Sequence, residues 1–140
     1  MAKKKVFVSF DWHKDKRYKF LLQAWDANPD FDFVFSDHSS GEIQSDDIPK
    51  VKGALTTKIR AATHTLVIVG VDANKLHADH KAIGYRNWQN FEISKSKPDN
   101  KLVGVKLNSN NASPEELLGA GASWAMSFTE ANIIKALKDA

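Results

Sequence analysis

Thr65-Leu66-Val67-Ile68-Val69, closed by Gly70, decides the fold of this chain. A run of that length, apolar after its first residue, rich in β-branched side chains and bounded by a glycine, reads as a strand buried on both faces of a parallel sheet. The blocks on either side alternate in period. Upstream, Ile48, Val51, Leu55, Ile59 and Ala62 form one helical stripe, with Pro49 suited to its first turn. Before that, Phe31-Asp32-Phe33-Val34-Phe35 alternates as a strand, and Val6-Phe7-Val8-Ser9-Phe10 is another buried strand. Between those two, Tyr18, Leu21, Leu22 and Trp25 mark an amphipathic helix with Asp15 as N-cap, stopped by Asn28-Pro29. Downstream come a helix over 85–97 ended by Pro98, a strand over 102–107, a short turn at Leu117 and Leu118, an edge strand over 123–126, and a helix capped by Thr129 that presents Ile133, Ile134 and Leu137. Strands alternating with helices predict an α/β fold: a flavodoxin-like, three-layer α/β/α arrangement with a five-stranded parallel sheet in the order 2-1-3-4-5. Ligands of such sheets bind beyond the carboxyl ends of the strands at the switch point, which places Phe10 to His13, Asp37 to Asp47 and Gly70 to Gly84 around one mouth.

The 140 residues are expected to form a single domain, 1–140, with 42% hydrophobic and 26% charged residues, an ordinary globular composition. The absence of cysteine excludes a disulfide framework, a thiolate metal site and a cysteine nucleophile. A net charge of +3 is too small an excess to argue for nucleic acid. No run approaches the ~18 apolar residues of a membrane span, and the N-terminus lacks a secretory apolar stretch, so a cytoplasmic protein is expected. Neither G-x-G-x-x-G nor a P-loop occurs, which argues against a flavodoxin-fold nucleotide-binding protein of the usual kind. His77 and His80 are spaced for a shared metal but have no recognisable third ligand, so no metal is expected. A phosphoacceptor site would need an acidic cluster, whereas the third strand leads to Gly70-Val71-Asp72 with Asp11 the other acid nearby. The polar loop over 38–47 is expected to be mobile at the mouth, being longer than the usual connection.

Trp88-Gln89-Asn90-Phe91-Glu92-Ile93 is the segment that carries chemistry. Trp88, Glu92 and Ser96 stand at i, i+4 and i+8 on one helix face. Glu92 is one of only five glutamates, set between Phe91 and Ile93 in a helix that starts near the mouth. From the residues alone the favoured reading is an exposed Glu paired with Lys95.

With its first strand Val6–Phe10, third strand Thr65–Val69 and the Trp88-x-x-x-Glu92-Ile93 motif, the chain resembles the TIR domain superfamily, in particular the bacterial TIR-like branch of Thoeris anti-phage defence. The likeness runs from Lys5 to Leu137. The loop after the second strand departs from the animal and plant TIR pattern, and the exit Asp11-Trp12-His13 is particular to the TIR-like branch. The resemblance implies Glu92 as the catalytic residue of an NAD nucleosidase or ADP-ribosyl cyclase-like enzyme, with NAD as substrate and no resident cofactor. It implies Phe10, Asp11, Arg17, Asp37, Arg86 and Trp88 around the substrate, with Trp88 or Phe10 as a stacking wall and Arg86 or Arg17 toward the diphosphate. Self-association, a phage component as trigger and a separate effector that responds to the product are the implied partners, with no nucleic acid and no membrane. The rival expectation is a non-catalytic TIR-like module that self-associates or binds a partner.

Overall fold

In the computed structural model the described residues are 4–25, 32–35 and 47–140, without the side chains of Trp12 and His13. Asp37 and residues 38–46 of the loop predicted over 38–47 lie outside them, as do Asn28-Pro29 and Phe31.

Five parallel strands, β1 (Lys4–Ser9), β2 (Phe33–Phe35), β3 (His64–Val69), β4 (Lys101–Lys106) and β5 (Ser123–Ala125), form one sheet in the order β2-β1-β3-β4-β5. The alternation read from sequence thus builds the expected flavodoxin-like α/β architecture. The central strand β3 is buried along its whole length and pairs with β1 from Val6↔His64 to Ser9↔Val67. Successive side chains point to opposite faces, so each strand feeds two cores. Val6, Val8, Phe10, Leu66, Ile68, Val103 and Val105 pack under α1 (Trp12–Trp25) and α5 (Glu130–Asp139). On the other face Phe7, Val67 and Val69 meet α2 (Ile48–Arg60), α3 (His80–Ile83) and α4 (Trp88–Ser96).

The helix starts follow from local chemistry. Asp47 caps α2, its carboxylate accepting the Lys50 amide at 3.3 Å, and Pro49 sits in the first turn. Val51, Leu55 and Ile59 are the buried stripe that the sequence predicts. Thr129 caps α5 as expected, accepting the Asn132 amide.

Three local expectations need correction. First, α1 begins at Trp12, and the Asp11 carbonyl accepts the Asp15 amide at 2.7 Å, so Asp11 stands at the cap and Asp15 in the first turn. Second, Leu21 is 48% exposed, because the inward stripe of α1 runs through Asp15, Lys19 and Leu22. Third, the helix expected over 85–97 starts at Trp88. Gly84, at φ 84°, ends the short α3 in a left-handed conformation that favours glycine, and Asn87 then caps a fresh helix.

Candidate active site

Parallel strands put all their carboxyl ends on one edge, and α4 begins at that edge. Its first turn is fastened there by amide side chains. The Asn87 carbonyl oxygen accepts the Asn90 amide at 2.9 Å, while its NH₂ donates to the carbonyls of Ala73 and Lys75 in the loop after β3. Asn90, fully buried, donates to the side-chain oxygens of Asn74 and Asn87 and accepts the Glu116 amide. Gln89 reaches over the strand ends, donating to the carbonyls of Ser9 (3.3 Å) and Ile68 (3.0 Å). Three polar side chains that a helix could leave in water instead lock its orientation against β1 and β3.

One turn further on, Glu92 points into the sheet. It is 1% exposed. Ser9, the last residue of β1, donates its hydroxyl to Glu92 Oε1 at 2.6 Å, and Oε2 is buried with no hydrogen-bond partner. Burial pushes the Glu92 carboxyl up from 4.5 to about 8, with the Ser9 hydrogen bond pulling the other way. Taking an anion out of water favours the neutral acid, whereas a donor aimed at it favours the carboxylate. A turn below, the Ser96 hydroxyl donates to the Glu92 carbonyl at 2.7 Å and lies 2.7 Å from the Thr65 hydroxyl. The face shared by Glu92 and Ser96 is therefore the sheet-facing side of α4. The surface pair with Lys95 does not form: the Lys95 ammonium lies over the Phe91 ring instead.

The other residues singled out in the sequence fall in different places. Trp88 stands at the start of α4, half-buried, edge-on to Phe91 with ring centroids 5.6 Å apart. Arg86 precedes it and donates through Nε to the Asn74 carbonyl. Phe10 points to the opposite face of the sheet, in the core beneath α1, with the Lys19 ammonium 5.8 Å from its ring. Arg17 is exposed on α1, donating to the Tyr18 hydroxyl at 2.9 Å. Thus Trp88 opens the helix that carries Glu92 and Arg86 stands just before its cap, while Phe10 and Arg17 belong to the α1 layer. His77 serves its loop, its Nδ1 accepting the Asp79 amide.

Sequence reasoning missed Ser9 and Gln89, which look like strand and helix filler. It also missed the neighbourhood of Asp15. That carboxyl, 5% exposed, fills the space that a side chain at Gly70 would need, and burial with the nearby Asp11 and Asp72 charges raises it to about 6. The i, i+4 spacing of Asp11 and Asp15 was the available signal. Among the described residues no group of three potential ligands is placed to hold a metal ion.

A five-stranded parallel sheet in this order, with a glutamate carried by the fourth helix to the end of the first strand, defines a TIR-like α/β domain. The family model described as Thoeris protein ThsB, TIR-like domain, matches residues 7–112, and the chain belongs to that family. Among solved structures, a crystal structure of a prokaryotic SEFIR domain aligns with a TM-score of 0.54 at 14% identity, covering 98% of this chain and 89% of that one. That likeness is one of fold. No curated protein matches the chain. No helix of the described residues is long and apolar enough to cross a membrane.

Proposed function

We propose that this chain is an NAD-processing enzyme of anti-phage defence, which cleaves the nicotinamide glycosidic bond and makes an ADP-ribose-derived signal nucleotide, cyclic or conjugated. The observation that supports it is the Glu92 carboxyl: buried at the carboxyl end of β1, one oxygen held by Ser9 and the other without a partner. Oxidised NAD carries a cationic nicotinamide ring, a leaving group that needs no protonation. As the ribose C1′–N bond breaks, its electron pair goes to the ring nitrogen and positive charge appears on the ribose. A carboxylate beside that carbon stabilises the charge most at the transition state. The cationic substrate itself favours ionisation of Glu92, since an opposite charge within about 4–6 Å lowers a carboxyl pKa. Water as nucleophile yields ADP-ribose and a proton, the adenine yields a cyclic isomer, and a third molecule yields a conjugate. Trp88, at the rim of the same helix, offers a stacking face, and Arg86 a cation for the diphosphate.

A second reading has its own observation. At 1% exposure Glu92 is an interior group, which suits a polar strut between α4 and β1 in a module that assembles without turnover. Incubation with NAD, with and without phage-infected lysate, followed by mass spectrometry and size-exclusion chromatography, separates the two. Cleaved dinucleotide supports the enzyme; assembly with intact NAD supports the module.

A further inference from the structure

Ser9 is an exception within its strand. Phe7 and Ser9 share the face of β1 that meets α2 and α4, and buried parallel strands normally spend apolar residues on both faces. The hydroxyl at this fully buried position has one role in the structure: it donates to Glu92 Oε1 at 2.6 Å. The same residue is held through its carbonyl by Gln89, from the turn of α4 just before Glu92. The donor is therefore fixed from both sides before any ligand arrives.

We propose that Ser9 is a positioning residue for Glu92, its hydroxyl anchoring Oε1 so that Oε2 is the oxygen presented to the ligand. The proposal rests on the enzymatic reading of Glu92 only for its consequence in turnover. A hydroxyl donates more strongly to a carboxylate than to a carboxylic acid, so the contact also favours ionisation. Burial and the Ser9 bond are the two influences on Glu92; Lys95 on α4 lies over Phe91, and Asp15 lies in the α1 layer of the other face.

Carbon-13 NMR titration of the Glu92 side-chain carboxyl in wild type, Ser9→Ala and Ser9→Thr tests the anchoring without reference to activity. Removal of the hydroxyl is expected to move the midpoint upward by about one pH unit, a tenfold change in proton affinity, and threonine is expected to restore it. The alkaline-going limb of NAD cleavage should move with it, with kcat at neutral pH falling about tenfold and KM little changed. An unmoved Glu92 midpoint in folded Ser9→Ala overturns the proposal, as does a moved midpoint with an unmoved pH profile. If Ser9→Ala does not fold, Ser9→Cys, a weaker donor of similar size, makes the same comparison. Wild type without NAD cleavage under any condition would refute the enzymatic reading, while the NMR midpoint would still decide the anchoring.

Discussion

Glu92→Gln should change how the stability of this domain depends on pH. In the folded chain the Glu92 carboxyl titrates near 8, against 4.5 for the free side chain. Between those values the folded state holds a proton that the unfolded state has released. Stability must therefore fall as pH rises: the contribution is complete below about 4.5 and lost as pH passes through about 8. At 1.36 kcal/mol per unit, the loss between pH 5 and pH 8 is about 4 kcal/mol, a large part of the ~5–15 kcal/mol of an ordinary domain. Glutamine keeps the volume and can still accept the Ser9 hydrogen bond, but it cannot titrate. Urea unfolding of both proteins, followed by tryptophan fluorescence at several pH values, gives the difference curve. That difference cancels the other titrations. His64, lowered from 6.5 by burial and by Lys101 and Lys4, costs stability as pH falls below 6.5, and Asp15, raised to about 6, costs stability as pH rises from 3.8. Wild type should lose stability relative to Glu92→Gln by about 4 kcal/mol over this range. Parallel curves would refute the account of a buried, proton-holding Glu92.

Asn87→Ala removes the cap of α4 and two donors to the loop after β3, and should cost about 1–3 kcal/mol in urea unfolding. Gly70→Ala would set a methyl 1.9 Å from Asp15 Oδ2, so a loss of about 1–3 kcal/mol is expected, partly recovered in the double variant with Asp15→Ala. Reduced NADH, whose nicotinamide ring is neutral, should survive chromatographically unchanged under conditions that consume NAD, since it lacks both the cationic leaving group and the charge that favours ionised Glu92.

Parts of this architecture were plain in the chain because one physical signal dominated them. Leu66 to Val69 is apolar at every position, follows the β-branched Thr65 and ends at Gly70, the pattern of a short strand buried on both faces. Pro49 and the stripe through Val51, Leu55 and Ile59 fixed α2 in the same way. The α1 stripe misled because two of its inward positions are Asp15 and Lys19, which hydrophobic periodicity counts as outward. The break between α3 and α4 depends on the left-handed Gly84 and on Asn87 bonding two distant carbonyls, a tertiary contact that local pattern does not carry. For Glu92, the helix face was legible from its spacing to Trp88 and Ser96, but burial was not. A Lys three residues on made a surface pair the favoured reading of the residues alone, and only the packing of α4 over β1 overturns it.

NAD turnover by Glu92→Gln, beside a demonstrably active wild type and a Lys95→Ala control, decides whether the Glu92 carboxylate carries the chemistry. Glu92→Gln should fold, still bind the dinucleotide and lose about 10²–10³ in rate, the usual effect of removing one preorganised electrostatic contact, with Lys95→Ala near wild type. Near-normal cleavage by Glu92→Gln would contradict it.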